Sequence, residues 1–138
     1  MLEFNLFLID YWYLSVPLFL SLLLWFLAES RRGGKRIDCN ELTFYANKKS
    51  ACLLDVRAKA DYDNGTIAGS INIPYDDLSD RMHELAKYEN LPIVLICNMG
   101  RNAALAGEKL SQNNFVETCV LKGGIMTWQQ EGLPIIKP

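Results

Sequence analysis

Residues 11–28 form one uncharged run, interrupted only by Ser15, Ser21 and Pro17. As a helix, at about 1.5 Å per residue, the run reaches roughly 27 Å. A bilayer's hydrocarbon core is about 30 Å thick, so the run nearly spans it alone. Seven leucines, two phenylalanines and a valine lie in it. Each favours insertion by about 0.3–0.6 kcal/mol, and together by roughly 3–6 kcal/mol before Pro17 and the serines subtract. Tyr11, Trp12 and Tyr13 suit one membrane interface and Trp25 lies near the other. A buried core helix is the alternative, but a run apolar on all faces has little to pack against in 138 residues.

A cleaved signal peptide needs a basic start and a small-residue cleavage site. Here Glu3 and Asp10 precede the run, and Glu29-Ser30-Arg31-Arg32-Gly33-Gly34-Lys35-Arg36 follows without an Ala-x-Ala pattern. The expectation is a single-pass transmembrane helix. All nearby cations, Arg31, Arg32, Lys35 and Arg36, lie after it. The positive-inside rule then places the C-terminal domain in the cytoplasm, with the chain in the inner (plasma) membrane. The expected organisation is an extracytoplasmic N-terminus (1–10), the span (11–28), a basic juxtamembrane linker (29–36) and a second domain (37–138). Arg32-Gly33-Gly34-Lys35 reads as a short flexible linker. Residues 11–36 are expected to contact membrane lipid, the cations through anionic headgroups.

Composition narrows the second domain. Half the chain is hydrophobic and 22% is charged, which does not describe disorder. A net charge of −2 argues against a nucleic-acid partner. Four scattered cysteines do not make a disulfide scaffold, and none has Cys-x-x-Cys spacing for zinc. One histidine, His83, rules out multi-histidine metal sites and argues against a Ser-His-Asp triad. Neither a metal nor a cofactor is expected.

Asp38-Cys39-Asn40-Glu41 has the pattern of a capping box opening a helix through about Ala46. Residues 51–56 read as a strand, 58–64 as a helical turn and 65–72 as loop and short strand. Residues 75–88 place Leu78, Met82 and Leu85 at helical spacing. Residues 92–97 are the clearest strand, continuously apolar as expected when both faces are covered. A helix over 101–110, a strand over 116–121 and a short helix over 125–130 complete the pattern. Strands alternating with helices predict an α/β fold: a small, doubly wound, mostly parallel sheet with helices on both faces.

One segment carries chemistry. Ile93-Val94-Leu95-Ile96-Cys97 is a buried strand ending in a thiol, followed by a short polar loop and then a helix. In open α/β sheets ligands bind at the carboxyl ends of strands. Loop amides and the helix N-terminus there form an anion cradle that favours thiolate over thiol. Without a histidine nearby, loop dipoles and Arg101 must supply the activation. A buried cysteine that merely ends a core strand is the competing reading. Cys52 and Cys119 read as core, Cys39 as incidental, and Asp76, Asp77 and Asp80 as acids decorating a helix start.

Three motifs in order resemble the rhodanese-like domain family. Leu53-Leu54-Asp55-Val56-Arg57, Tyr62 and Gly65-Thr66-Ile67-Ala68-Gly69-Ser70-Ile71-Asn72-Ile73-Pro74 resemble its first signature. Cys97-Asn98-Met99-Gly100 resembles its active-site loop. Leu121-Lys122-Gly123-Gly124-Ile125-Met126-Thr127-Trp128, with Gly132-Leu133-Pro134, resembles its C-terminal signature. An N-terminal span on such a domain resembles the membrane-anchored, single-domain bacterial members.

The resemblance implies sulfurtransferase chemistry. Cys97 would take sulfane sulfur from thiosulfate or a persulfide, hold it as a persulfide, and pass it to a thiol, possibly a protein thiol, or to cyanide. The loop of Asn98, Met99, Gly100, Arg101, Asn102 and Ala103 would bind the anionic substrate, and Asp55 and Arg57 would brace the site from beneath. Two positions depart from the family pattern: Thr66, where a histidine is frequent, and Asn102, where Arg or Thr is frequent. A Cys-x5-Arg phosphatase fails on spacing, because Ala103 stands six positions after Cys97 and no guanidinium clamp would meet a phosphate. The alternative from a different class is a catalytically weak or inactive module of the same fold that binds a protein partner at the membrane.

Overall fold

The computed structural model describes residues 1–30 and 33–138, which divide into two compact units, the first ending at Arg31 and the second beginning at Arg32. Arg31 and Arg32 of the basic cluster lie outside the described residues. In the first unit, α1 (Leu2–Asp10) is followed through Tyr11 by α2 (Trp12–Ser30). Pro17 lies inside α2, and the hydroxyl of Ser21 donates to the carbonyl of Leu18 (2.8 Å). Residues 12–29 are long and apolar enough to cross a membrane, with a mean hydropathy of 1.6.

The second unit runs β1 (Lys35–Ile37), α3 (Cys39–Lys48), β2 (Cys52–Asp55), α4 (Lys59–Asn64) and β3 (Ser70–Asn72). A 3-10 turn (Tyr75–Asp77), α5 (Leu78–Arg81) and a 3-10 helix (Met82–Tyr88) follow. The chain closes with β4 (Pro92–Ile96), α6 (Arg101–Gln112), β5 (Glu117–Leu121) and α7 (Gly124–Gln130). The five strands form one sheet in the order β1-β5-β4-β2-β3, with every neighbouring pair parallel. The α/β expectation holds.

Alternation along the strands builds two cores. Ile93, Leu95 and Cys97 join Leu54, Val56 and Val120 on one face, covered by Ala103, Ala106 and Leu110 of α6 and by Leu78 and Leu85. Val94 and Ile96 join Ile37, Leu53, Cys119 and Leu121 on the other, covered by Leu42 and Tyr45 of α3 and Ile125 and Trp128 of α7. β4 is continuously apolar because it serves both cores. The capping box opening α3 forms as expected: the Asp38 carboxylate accepts from the Glu41 amide (2.8 Å), and Glu41 accepts from the Asp38 amide (3.1 Å).

Two local expectations change. Residues 82–88 wind as a 3-10 helix rather than continuing an α-helix. Both windings bring positions three apart to one side, so Met82 and Leu85 reach the core either way. The linker reading of residues 33–36 is also corrected. Lys35, Arg36 and Ile37 pair in register with Cys119, Val120 and Leu121 as an edge strand. Lysine on an edge strand discourages further pairing, and only Ile37 is buried.

Gly33 and Gly34 are packed rather than loose. A Cβ on Gly33 would run into the backbone of Ala104, and one on Gly34 into the backbone of Thr118. Gly107 of α6 faces the Gly33 carbonyl with no room for a methyl group. Helix propensity alone favours Ala over Gly by about 1 kcal/mol. Gly107→Ala is instead expected to destabilise the domain by about 1–3 kcal/mol through overpacking. The midpoint of urea unfolding reads the sign. An unchanged or raised midpoint would contradict the close packing of Gly33 on α6.

Candidate active site

Cys97 follows the last residue of β4, where the strand backbone has used its pairing partners and the chain must turn. Its carbonyl accepts from the amide of Ile125 (2.8 Å), and the carbonyl of Asn98 accepts from that of Met126 (3.3 Å). The first turn of α7 therefore holds the loop from below. That approach requires Gly124, at φ +63°, because a Cβ there would strike the carbonyls of Cys97 and Asn98. Gly123 and Gly124 thus do more than supply the tight turns their sequence suggests. Gly100, at φ +95°, caps α6 and turns its amide back to donate to the Cys97 sulfur (2.8 Å).

Cys97 is only 4% exposed, and its sulfur is reached through a cavity of about 430 Å³. That volume lies within the range of small-molecule sites, about 300–1,000 Å³. Among the loop residues singled out in the sequence, Asn98, Met99, Arg101 and Asn102 line this cavity beside Cys97. Gly100 does not line it, but lines a second cleft behind the loop. Ala103 is fully buried in the α6 core, so its side chain forms no part of the cavity wall.

Asp55 and Arg57, expected to brace the site, form an ion pair almost wholly out of water. The carboxylate of Asp55 is completely buried, and Arg57 is 7% exposed along its side chain. Arg57 Nη2 donates to Asp55 Oδ2 (2.7 Å) and to the carbonyl of Gly65 (2.6 Å), while Nε donates to both carboxylate oxygens (3.0 and 3.1 Å). The amide of Arg57 donates to Oδ1 (3.0 Å). Thr66 Oγ1 also donates to Asp55 (2.9 Å) and lies 2.7 Å from Ser70 Oγ. Thr66 is therefore a member of this buried network. Arg57 also lines the cavity, whereas Asp55 acts only through it.

Some of the wall escaped the sequence reading. Ala58, Asp61, Pro74, Tyr75 and Asp76 complete the cavity. Asp76 had read as decoration of a helix start, but the 3-10 turn after β3 brings it to the cavity. Neither acid stands at a spacing from Cys97 that would signal this, since their places follow from the β2-β3 side of the sheet. Cys52, Cys119 and Cys39 pack in the cores, and burial pushes the thiols of Cys39 and Cys52 up to about 11 and that of Cys119 upward. Among the described residues no His, Cys, Asp and Glu side chains cluster as a metal site.

A thiol at a strand end, an amide donating to its sulfur and a cavity open above it meet at the carboxyl end of the parallel sheet. The model of the rhodanese-like domain matches residues 40–131. Over 104 residues the chain is 32% identical to the uncharacterized protein YibN of Escherichia coli, covering 75% of this chain and 73% of that protein. A protein of Allochromatium vinosum named sulfurtransferase is 30% identical over 93 residues, covering 67% and 85%. The crystal structure of a rhodanese-related protein from Thermoplasma volcanium superposes with a TM-score of 0.66 at 33% identity, covering 75% of this chain and 99% of that one. The chain belongs to the rhodanese-like domain family, a sulfurtransferase-type family.

The buried pair offers a direct test. Removing one partner of such a pair leaves the other charge stranded, at a cost of about 3–5 kcal/mol. Arg57→Met is expected to lower unfolding stability by that amount, measured by urea denaturation. A loss below about 1 kcal/mol, the value of a surface pair, would contradict the buried bracing role.

Proposed function

We propose that this chain is a membrane-anchored sulfurtransferase that carries sulfane sulfur as a persulfide on Cys97 and passes it to a thiol or to cyanide. The observation that carries the reading is the Gly100 amide donating to the Cys97 sulfur at the floor of an open cavity. That amide, fixed before any substrate arrives, stabilises negative charge on sulfur without reorganising.

In the first half-reaction the Cys97 thiolate attacks the outer sulfur of thiosulfate. The new S–S bond forms as the old one breaks, and sulfite leaves with the bonding pair. A persulfide donor reacts in the same way and leaves as a thiolate. In the second half-reaction an acceptor thiolate or cyanide attacks the outer sulfur of the Cys97 persulfide, and Cys97 leaves as thiolate. The acceptor becomes a persulfide or thiocyanate, and ping-pong kinetics follow. Asn98, Met99, Arg101, Asn102 and Arg57 form the walls against which the donor is oriented, with Arg101 and Arg57 the cations among them.

Residues 12–29 supply the anchor. The excess of Lys and Arg after the span supports a cytoplasmic position for the domain.

Full-length protein in detergent, purified without reductant and exposed to thiosulfate, is expected to gain one sulfur atom by intact mass, removable by cyanide and mapped to Cys97. Cys97→Ser should gain none, and equal labelling of the two proteins would overturn the reading. Protease added to sealed inside-out vesicles should digest the domain, and protection there would reverse the orientation.

A further inference from the structure

The Cys97 loop separates two clefts that differ in charge: the first has acids and cations in its wall, and the second has cations alone among its charged lining residues. On one side lies the cavity described above, with Asp61 and Asp76 in its wall. On the other lies a cleft of about 390 Å³ whose charged lining residues are Arg36, Arg101 and Lys122. Among the described residues no Asp or Glu lines this second cleft. Met99 and Arg101 border both clefts.

The fold explains why the three cations meet. Arg36 is in register with Val120 on β5, whose side chain faces the α6 core. Lys122 leaves the end of β5 and is held there as its amide donates to the carbonyl of Ile37 (2.8 Å). Arg101 opens α6, whose first turn contains no acidic residue. The helix dipole disfavours a cation at that end, so helix stability does not account for Arg101. Among the described residues none of the three forms an ion pair.

Apolar surface lies between the charges: Met99 is 71% exposed and Leu105, also in the cleft, 42%. Methionine adapts its shape to varied apolar partners. An occupant matching this lining carries carboxylates around an apolar side chain. The cleft is concave, which fits a protruding segment of chain better than the plane of a bilayer. Gly100 lines the cleft and its amide donates to the Cys97 sulfur, so the occupant sits across the loop from the thiol, with Met99 and Arg101 as the rim it shares with the Cys97 cavity.

We infer that the cleft bordered by Arg36, Arg101 and Lys122 docks an acidic segment of a protein acceptor, so that the acceptor's thiol reaches over the shared rim of Met99 and Arg101 into the cavity of Cys97. The inference rests on the sulfur-transfer reading and names the acceptor class for it. The cations attract the acidic segment while Asp61 and Asp76 repel it from the opposite wall. This sets its orientation as well as its rate of encounter. Small acceptors, which reach Cys97 through the first cavity, do not need the cleft.

The test uses full-length protein in phosphatidylcholine nanodiscs at low ionic strength. A fluorescein-labelled peptide, Asp-Glu-Met-Ser-Glu-Asp, is compared by anisotropy with its amide counterpart, Asn-Gln-Met-Ser-Gln-Asn. The acidic peptide is expected to bind about tenfold more tightly, and the preference should shrink as salt rises. Arg36→Glu with Lys122→Glu should abolish the preference, and the milder Arg36→Gln with Lys122→Gln should reduce it. Sulfur transfer from loaded Cys97 to dithiothreitol, a small neutral acceptor, should stay unchanged in both variants, which also shows that they fold.

Equal affinities for the two peptides, or a preference that survives charge reversal, would overturn the inference. So would slower acetylation of Lys122 relative to Lys59 in phosphatidylserine discs than in phosphatidylcholine discs, because it would assign the cleft to lipid. Peptide binding does not require sulfur on Cys97, so the two readings fail separately. Charge-dependent binding without sulfur loading would remove the transferase reading, and loading without charge-dependent binding would remove the docking surface.

Discussion

Two backbone hydrogen bonds hold this site together: those from the amides of Ile125 and Met126 to the carbonyls of Cys97 and Asn98. They tie the end of β4 to the start of α7 and decide where the thiol loop lies. Gly124 permits the approach, because any side chain there would meet the two carbonyls. Once the loop is pinned, Gly100 can take the left-handed conformation that aims its amide at the sulfur. The C-terminal glycine pair and the Cys97 loop are far apart in sequence, yet they form one mechanical unit. The remaining features of the site, its cavity and its charges, are arranged around that unit.

The charges are layered. Deepest is the Asp55–Arg57 pair, with Thr66 and Ser70 completing its hydrogen bonds. Such a pair adds little net stability over an apolar substitute, but its partners are tightly constrained once present. Its value here is geometric, because Arg57 reaches the carbonyl of Gly65 and fixes the loop that precedes β3. Around the thiol loop, Asp61 and Asp76 share one cleft with Arg57 and Arg101, and the charged residues of the other cleft are Arg36, Arg101 and Lys122. The buried pair lies beneath the cavity, and on the proposed reading the surface charges select what approaches it.

Much of this was legible in the sequence. β4 announced itself because a strand buried on both faces needs an unbroken apolar run. The α3 capping box was readable because its two reciprocal bonds need only Asp38 and Glu41 at fixed spacing. Cys97 stood out because it ends that strand and precedes a polar loop. β1 was hidden, since an edge strand that buries only Ile37 has no apolar signature and its cations resembled a linker. Gly33 and Gly34 looked flexible for the same reason that they are needed, the absence of side chains at a close contact. The winding of residues 82–88 was unreadable from spacing, because α and 3-10 helices both bring Met82 and Leu85 to the core. Asp61 and Asp76 reach the cavity through long-range topology, which leaves no local mark.

The central claim is that Cys97, alone among four cysteines, offers a sulfur that a reagent can reach and use in the folded protein. Brief alkylation of the native full-length chain with iodoacetamide at pH 8, resolved by peptide mass spectrometry, tests this most directly. Cys97 should be modified first, with Cys39, Cys52 and Cys119 reacting only after denaturation. Modification of Cys52 at a comparable rate, or a Cys97 that stays unmodified until the protein unfolds, would contradict the account.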